Sequence, residues 1–435
     1  MKKILIASAL VVCFATSATA QENDFTPTKR NCGSNDKYLE MLKTDPQFAL
    51  NRKNIEEFTQ NFIRNNGGVQ NKTQTPVYTI PVVVHVVYKT TTQNISDAQI
   101  QSQITVLNQD FQKLNSDVTK VPSVWTSLVA DCQIQFCLAT SDPNGNPTTG
   151  IVRKSTTRTS FSTNDYVKKN SKGGDDAWDA TKYLNIWVCN LGSGLLGYAQ
   201  FPGGPASTDG VVIDYAAFGT IGTAAYPFNL GRSATHEIGH WLNLYHIWGD
   251  DGTACSGSDL VGDTPNAGGP NYGCPAFPHV TCSNGPNGDM WMNYMDYSDD
   301  RCMYMFSNGQ NARISATLAT GGAHHSVTVS GKCGAKPAAV PANVQISKVS
   351  LSVVPNPVQS GTPSVSYKLS KAGNMQMNVT TSYGMSVSSI NLGKQAQGEY
   401  KIQRAELARL QNGVYVVTLT ADGVIVGSTQ LVVQH

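Results

Sequence analysis

Four residues in the stretch HEIGHWLNLYH, positions 236–246, have the types and the spacing of a catalytic metal site. Side chains four positions apart lie on one face of an α-helix, so His236 and His240 can offer two imidazole nitrogens to one ion. Glu237 is the next residue round the helix, where a carboxylate can take a proton from a metal-bound water instead of binding the ion. His246 would complete the protein's share of a tetrahedral zinc site. The alternative is an ordinary amphipathic helix, but composition alone would give this pattern in roughly one of ten thousand such chains.

The chain has to turn between the second and the third histidine. His246 lies too far along a continuous helix to share the face of His236 and His240. A turn of this kind commonly contains a residue with left-handed backbone, usually Gly, and Asn is the other residue that adopts this conformation readily. Asn243 occupies the position where the common long zinc-protease pattern has Gly. The sequence therefore predicts that Asn243 forms the turn that brings His246 back to the metal.

Hydrophobic patterns on both sides of this stretch predict the elements that position it. Tyr78–Tyr88, YTIPVVVHVVY, has the pattern of a buried strand, and further strand patterns lie at 133–139 and 183–189. Helix starts are predicted at a capping residue and at a capping box, which are Ser96 and the pair Ser307 and Gln310. Strands that alternate with helices indicate a mixed α/β domain.

The stretch HEIGHWLNLYH and the later MNYMDYSDDRCM, positions 292–303, together resemble the pappalysin family of metzincin zinc proteases. The similarity begins at IPVVVHVVY, continues through LNIWVCNLGSGLLGYAQFP and ends at about Leu318. It implies a metzincin catalytic domain of the α/β (α+β) class, with a mixed twisted sheet and an active-site helix. The resemblance also implies that zinc is bound by His236, His240 and His246.

The same resemblance gives roles to three further residues. Glu237 corresponds to the general base, Met295 to a Met-turn beneath the metal, and Tyr297 to a tyrosine that helps to hold the transition-state oxyanion. Zinc would make its bound water acidic, Glu237 would remove the proton, and the hydroxide would attack the scissile carbonyl. The expected activity is therefore hydrolysis of peptide bonds in protein or peptide substrates.

The resemblance further implies cleavage before Arg or Lys, through an acidic residue in the pocket beyond the scissile bond. Asp299 and Asp300 are near enough in the sequence to supply this charge. Arg301 opposes the expectation, because a cation that points into the pocket would repel the same substrates.

Two disulfides are expected between the third histidine and the Met-turn. The resemblance implies the pairs Cys255–Cys282 and Cys274–Cys302, although the sequence alone leaves three pairings of these cysteines open. No partner is assigned to the remaining cysteines of the mature chain, which are Cys132, Cys137, Cys189 and Cys333.

Calcium is expected in the loop at residues 249–265. Members of the family bind structural calcium there, and this loop has the oxygen-rich composition that Ca²⁺ prefers. The expected ligands are Asp259, Asp263 and Thr264. The alternative is a solvated acidic turn, because the loop lacks the spacing of a helix–loop–helix calcium motif.

The N-terminus has the features of a secretory signal peptide. Residues 1–20 contain two lysines, a short apolar run and a small-residue cleavage site, and no later run is long enough to span a membrane as a helix. The net charge of +2 from 435 residues gives no basic footprint for nucleic acid. Removal of Cys13 with the signal leaves nine cysteines, so at least one thiol is unpaired within the chain.

Cys32 is the candidate for that unpaired thiol and for a latency switch. It lies in KRNCG, positions 29–33, beside two basic residues that would favour the thiolate. A thiolate can occupy the fourth position of zinc and exclude water, and relatives stay latent by such a switch. The alternative is a passive cysteine in the pro-segment. The expected pro-segment is 21–51, removed by self-cleavage at Asn51–Arg52, and the expected protease domain is 52–333.

The composition changes after residue 333. Residues 334–346 are predicted to be a linker rich in Pro and Ala, and short strand patterns over 347–435 predict an all-β sandwich. LSVVPNPV at 351–358 and NGVYVVTLTADG at 412–423 look like the C-terminal sorting domain of type IX secretion cargo. That resemblance implies bacterial secretion machinery as a partner and a chain that is secreted through the periplasm or attached to the cell surface. A generic adhesive or carbohydrate-binding module is the alternative.

These features together predict a secreted zinc endopeptidase that is made as a latent precursor. The alternative is a surface binding or adhesion protein with a structural metal site. Glu237 favours the enzyme, because a structural zinc has no use for a base beside an open coordination position.

Overall fold

The computed structural model describes residues 28–66, 78–333, 351–381, 386–410, 412–421 and 424–435. The predicted signal peptide at 1–20 and the predicted linker at 334–346 lie outside these residues, as does Cys13. No helix among the described residues is both long enough and apolar enough to cross a bilayer.

A six-stranded mixed sheet forms the centre of the protease region, in the order β2-β1-β4-β6-β5, with β3 paired to the second half of β1. All pairings are parallel except that of β5, which runs antiparallel to β6 at the edge of the sheet. The long β1 is almost wholly buried because apolar residues occur on both of its faces. The strands are β1 (Tyr78–Tyr88), β2 (Ile134–Leu138), β3 (Ile151–Ser155), β4 (Leu184–Cys189), β5 (Gly197–Ala199) and β6 (Val211–Asp214).

Among the described residues, two helices precede the sheet in the sequence, one lies between its first two strands, and three follow its last strand. The side chain of Ser96 accepts a hydrogen bond from the backbone N–H of Gln99, and Ser307 and Gln310 form a reciprocal capping box, so both predicted helix starts are confirmed. The helices are α1 (Ser34–Thr44), α2 (Pro46–Asn66), α3 (Asp97–Asp110), α4 (Arg232–Trp241), α5 (Asn308–Leu318) and α6 (His325–Thr328).

The N-terminal helices differ from what the polar sequence there suggests. Met41 of α1 and Phe48 of α2 are buried and pack on Phe201, next to the sheet edge. The boundary predicted at Asn51–Arg52 is not visible as a break, because α2 continues through it and Arg52 is buried. In this conformation the Asn51–Arg52 bond lies within a helix and is not presented as an extended segment for cleavage.

The C-terminal region contains two antiparallel sheets, in the orders β10-β9-β12-β13 and β11-β8-β7. Both sheets contribute residues to one apolar cluster, for example Val365 from β8 and Val417 from β12. The strands are β7 (Leu351–Val354), β8 (Ser364–Leu369), β9 (Gly373–Thr381), β10 (Ser386–Gln395), β11 (Gly398–Gln403), β12 (Gly413–Ala421) and β13 (Val424–Val433). The described residues of this region therefore form two antiparallel sheets with one 3-10 helix at Ala405–Arg409, in partial agreement with the expected all-β domain.

Three disulfides join distant parts of the protease region: Cys137–Cys333, Cys255–Cys282 and Cys274–Cys302. The latter two are the pairs that the family resemblance implied. Cys137–Cys333 ties the end of the protease region to the central sheet. Among the described residues the free cysteines are Cys32, Cys132 and Cys189, and all three are buried.

Candidate active site

The imidazole rings of His236, His240 and His246 converge on one point. Their Nε2 atoms lie 3.1 to 3.2 Å from one another. Each Nδ1 has a separate acceptor, so the ring orientations are fixed from behind. The acceptors are the carbonyl oxygens of Tyr294 at 2.7 Å and Leu244 at 2.8 Å, and Oδ1 of Asp250 at 2.6 Å.

This arrangement fits a zinc ion. Because each Nδ1–H donates to its oxygen acceptor, three Nε2 lone pairs face one another, which is repulsive unless a cation lies between them. Burial, followed by the neighbouring histidines, lowers the pKa of His236 well below its ordinary value, and the pKa of His240 falls in the same way. A tetrahedral zinc with bonds of about 2.0–2.1 Å would separate its ligands by about 3.3 Å, close to the observed spacing.

Asn243 forms the turn that brings the third histidine back. Its φ of 72° is left-handed, and the N–H of Leu244 donates to the carbonyl of Gly239 to close the end of α4. The backbone then reverses, so that Leu244 supports the ring of His240 while His246 reaches the same point from the other side. The turn predicted at this position is present, with Asn in place of Gly.

Met295 and Tyr297 lie against the histidines. Met295 is fully buried below α4, where a Cβ added to Gly239 would lie only 2.4 Å from its Sδ, so this helix position has no room for a side chain. The ring of Tyr297 contacts His246 with centroids 5.0 Å apart. The hydroxyl of Tyr297 donates to the carbonyl oxygen of Cys32 at 3.4 Å.

The N-terminal segment crosses the site along the edge of the sheet. Cys32 forms a parallel bridge with Gly197 of β5, and the N–H of Gly33 donates to the Gly197 carbonyl at 2.9 Å. The thiol of Cys32 and the three histidines are close enough to act as one ligand set, with all ligand atoms within 4.8 Å of one another. The segment thereby covers the side of the site opposite the protein core.

Glu237 is buried beside this site and is capped by the same segment. The hydroxyl of Ser34 donates to Oε2 of Glu237 at 2.7 Å, and the thiol of Cys32 donates to the same oxygen at 3.3 Å. Burial raises the pKa of Glu237 to about 7 although these donors lower it. A Cβ at Gly197 would lie 2.8 Å from Cγ of Glu237, so the absence of a side chain there gives the carboxylate its place.

The expectation that two basic neighbours make Cys32 a thiolate is wrong for the protein groups taken alone. Burial, followed by the charge of Glu237, raises the pKa of the Cys32 thiol well above its ordinary value. The basic side chains point elsewhere: Arg30 enters a pocket and Lys29 lies over the ring of Tyr272 at 5.1 Å.

Arg30 occupies a closed acidic pocket next to the histidines. Its guanidinium donates to Oδ1 of Asp300 at 2.6 Å, to the hydroxyl of Ser233 at 3.2 Å and to the carbonyl of Ser298 at 3.3 Å. The guanidinium lies over the ring of Phe228, with 5.2 Å between Cζ of Arg30 and the ring centroid. Both charged side chains are fully buried, so the pocket is matched to an arginine in charge, shape and donor geometry.

The two neighbouring acidic residues are not equivalent. Asp299 faces Arg301, with 3.9 Å between Nε and Oδ2, and makes no ion pair with Arg30. Arg301 is largely exposed and lies over the ring of Tyr226, so its charge does not point into the pocket. The structure therefore brings Asp300 to the candidate specificity pocket and leaves Asp299 at its rim.

The loop expected to bind calcium brings two of the three predicted ligands together. The hydroxyl of Thr264 lies 2.6 Å from Oδ2 of Asp259 and 3.2 Å from the carbonyl oxygen of Val261. Burial raises the pKa of Asp259 to about 7, and no salt bridge to it occurs in the described part of the chain. Oxygen atoms clustered on a buried carboxylate fit the chemistry of calcium.

Asp263 does not join this cluster. Its carboxylate instead accepts hydrogen bonds from the hydroxyl of Ser307 and the N–H of Gly309, at 2.6 and 2.8 Å, at the start of α5. An acidic side chain at a helix N-terminus has this structural use without a metal ion.

The sequence did not identify Arg30, Ser34 or Ser298 as site residues. Arg30 and Asp300 are 270 positions apart, so no local pattern joins them. The signal that was present is the spacing of Arg30 and Cys32, which would share one face of an extended segment, whereas Ser34 is the first residue of α1.

The chain matches the peptidase M43 family, described as pregnancy-associated plasma protein-A, over residues 166–319. An extracellular metalloprotease of Pyricularia oryzae is 35% identical over 249 residues, which cover 55% of this chain and 75% of the relative. An extracellular metalloprotease of Arthroderma benhamiae is 33% identical over 242 residues, which cover 54% of this chain and 76% of that relative.

Two solved structures are similar to part of this chain. Mature mirolysin of Tannerella forsythia, in complex with a cleaved peptide, is 52% identical with a TM-score of 0.58, and the match covers 59% of this chain and 97% of that one. A promirolysin variant of Tannerella forsythia is 47% identical with a TM-score of 0.64, covering 69% and 97%.

Proposed function

This chain belongs to the peptidase M43, or pappalysin, family and is a secreted metalloendopeptidase, and we propose that it works with zinc held by His236, His240 and His246. The observation that carries the proposal is the convergence of three imidazole lone pairs beside a buried carboxylate. A structural site would leave that carboxylate without a role.

In the proposed mechanism, zinc supplies Lewis acidity toward the scissile carbonyl and makes water a stronger acid. Glu237 takes the proton from the attacking water and delivers it to the leaving nitrogen, for which a pKa near neutral is suited. Tyr297 donates its hydroxyl to the developing oxyanion, a role supported by its present bond to a main-chain carbonyl, that of Cys32. Main-chain groups of β5 at the sheet edge bind the extended peptide, as Gly197 now binds Gly33.

We propose that the enzyme prefers Arg, and to a lesser degree Lys, after the scissile bond. The preference is supported by the fit of Arg30 in the pocket that ends at Asp300. Arg is favoured over Lys because Ser233, Ser298 and Asp300 surround a planar group with several donors.

Latency in the proposed precursor rests on three side chains of one segment. Cys32 is positioned to complete the histidine ligand set, Ser34 caps Glu237, and Arg30 fills the specificity pocket. Each occupies a place that catalysis needs, so the segment excludes both water and substrate from the cleft.

Calcium is proposed to bind at Asp259 and Thr264, in the loop that also contains Cys255 of the disulfide Cys255–Cys282. The ion would neutralise a buried carboxylate and order an irregular loop that follows the third histidine. Asp263 is left out of the ligand set because it already serves α5.

The all-β region at 347–435 is proposed to be a sorting domain that directs the chain through type IX secretion. The proposal is supported by the motifs LSVVPNPV and NGVYVVTLTADG and by the two small antiparallel sheets. A glycan-binding or adhesive role for this region is the alternative.

The central test is whether proteolysis depends on zinc. The purified activated protein should contain one zinc per chain, cleave casein, lose activity with a chelator and regain it on addition of zinc. A protein that keeps its zinc but cleaves neither casein nor peptides with Arg after the scissile bond would contradict the proposal and favour a binding protein.

A further inference from the structure

One face of α2 is directed at the turn between the second and third histidines. Arg52, Glu56 and Thr59 follow one another at helical spacing along this face. Arg52 donates to Oδ1 of Asn243 at 2.6 Å, and the amide of Asn243 donates to the hydroxyl of Thr59 at 3.4 Å. Glu56 forms a bidentate ion pair with Arg313, at 2.8 and 2.9 Å. The Nε of Arg313 in turn donates to the carbonyl oxygen of Asn243 at 3.2 Å.

Arg52 has a site of its own in the protease region. It is only 4% exposed, and its guanidinium donates to the Pro202 carbonyl at 3.1 Å and the Tyr245 hydroxyl at 2.8 Å in addition to Asn243. The rings of Tyr38, Phe201 and Tyr245 surround it at 5.4 to 6.0 Å. A buried cation with this many directed partners restrains the geometry of the groups that it binds.

The restrained groups are next to the metal ligands in the chain and in space. Asn243 holds a left-handed conformation with φ of 72°, which Asn adopts less readily than Gly. Tyr245 immediately precedes His246, and Phe201 lies 5.3 Å from the ring of His240 between centroids. A small displacement of the turn would therefore move one ligand ring relative to the other two.

We propose that Arg52 is a positioning residue of the metal centre, and that the active enzyme retains α2 from Arg52 onward. This proposal rests on the proposed function. Arg52 acts through Asn243 and Tyr245, to which it donates hydrogen bonds. These bonds hold the backbone of the turn in the left-handed conformation that Gly would adopt without them. The segment that leaves the cleft then consists of the residues before Arg52, which are α1, the start of α2 and the residues before them.

The first test is the N-terminus of the self-activated enzyme, determined by mass spectrometry of the full-length product. The expected mature chain begins at Arg52 or before it. An active chain that begins after Arg52, with no separate α2 peptide bound, would overturn the proposal.

The second test compares Arg52→Met, which keeps the aliphatic length but loses the donors, with Lys53→Met, at a side chain of the same helix that is 72% exposed. All chains are prepared to begin at residue 52, because Arg52→Met removes the basic residue that the proposed self-cleavage at Asn51–Arg52 requires. Arg52→Met should lower kcat by roughly tenfold or more with little change in KM, because ligand geometry and not substrate binding is disturbed. Zinc transfer to a chromophoric chelator should be about 10–100-fold faster. Lys53→Met should match the wild type in both measurements.

A purely structural role is separated by the Asn243→Gly background. Gly adopts the left-handed turn without help, so Arg52→Met should change kcat and zinc release less there than in the wild-type background, with the remaining effect due to Tyr245. Equal losses in both backgrounds, or wild-type kcat and zinc release in Arg52→Met, would overturn the proposal. Should Arg52→Met fail to accumulate as folded protein, Arg52→Lys, which keeps the charge but loses the planar fork, gives the same comparison.

Measurements on the wild-type protein distinguish failure of this proposal from failure of the proposed function. A wild-type protein without zinc-dependent proteolysis contradicts the proposed function, whereas the zinc-release comparison still tests whether Arg52 positions the histidines.

Discussion

Glu237 is the residue at which metal binding and catalysis can be separated. Because it lies beside the histidines without being needed as a ligand, Glu237→Gln should retain stoichiometric zinc and lose activity by roughly 10²–10⁴-fold or more. Zinc content by atomic absorption and hydrolysis of a quenched fluorescent peptide are the two measurements. Proteolysis at the wild-type rate in this variant would remove Glu237 from the mechanism.

Asp300 is expected to set the preference for a basic residue after the scissile bond. Asp300→Asn keeps the size of the side chain but removes the charge that meets Arg30, so kcat/KM for a peptide with Arg should fall roughly 10–100-fold. The same enzyme should cleave a matched peptide with Leu at that position no more slowly than before. Asp299→Asn is the matched control, since Asp299 pairs with Arg301, and it should keep the preference.

Ser34 and Cys32 should each contribute to latency. Ser34→Ala removes the donor that caps Glu237, and Cys32→Ala removes the thiol from the histidine ligand set, so either precursor should activate itself faster than the wild type. The lag before peptide hydrolysis, followed from freshly purified precursor, measures this. Leu39→Ala, at a side chain of α1 that is 52% exposed, should leave the lag unchanged. A Cys32→Ala precursor with a wild-type lag would refute the switch.

At the scale of elements, we predict that stabilisation of the loop at residues 249–265 by calcium depends on pH. The pKa of Asp259 in the folded chain, about 7, is above its ordinary value, so the metal-free fold is stabilised by the bound proton at low pH and loses that contribution as the pH rises through 7. Calcium needs the ionised carboxylate. Its effect on Tm should therefore be small near pH 5 and complete near pH 8.

The variants Asp259→Asn and Asp263→Asn distinguish the two acidic residues of this loop. Asp259→Asn should abolish the calcium-dependent rise in Tm, whereas Asp263→Asn should lower Tm through α5 and leave the rise intact. A calcium effect that survives in Asp259→Asn would place the ion elsewhere. Differential scanning calorimetry with calcium and with a chelator is the measurement.

The elements that the sequence predicts well are those with a local signal. The apolar run of β1 and the capping box of α5 are both found where expected, because each depends on neighbours within a few residues. The strands β10 and β11 have no comparable local signal, because SVSSINLGKQ and GEYKIQ are mostly polar and expose alternate side chains. The burial of α2 was missed because Arg52 and Glu56 are held by partners far away in the sequence.

The candidate site divides in the same way. The three histidines and Glu237 lie within eleven consecutive positions, so their spacing alone indicated a metal centre. The pocket of Arg30 depends on a contact with Asp300 across 270 positions, which a single sequence does not encode as a pattern. Side-chain direction was also beyond the sequence, since it decides that Asp300 and not Asp299 meets the arginine.

At the scale of the whole molecule, proteolysis and export should be separable. A chain that ends at Cys333 keeps the disulfide to Cys137 and every described residue of the candidate site, so it should fold and cleave casein after activation. In a bacterium with type IX secretion it should remain inside the cell envelope, whereas the full chain reaches the surface or the medium. Fractionation with activity measurements tests this, and equal export of both chains would contradict the sorting role of 347–435.

The segment at residues 28–34, which we propose blocks the site in the precursor, is covalently attached to the enzyme, and this has a kinetic consequence. A tethered inhibitor acts at an effective concentration of about millimolar whatever the dilution. The intact precursor is therefore inhibited to the same degree in dilute and in concentrated solution. Cleavage of the segment then depends on encounters between a precursor molecule and an enzyme molecule that has already been activated. Activation should follow a sigmoidal time course whose delay shortens as protein is added, and a free peptide of residues 28–34 should be a far weaker inhibitor than the same residues in the chain.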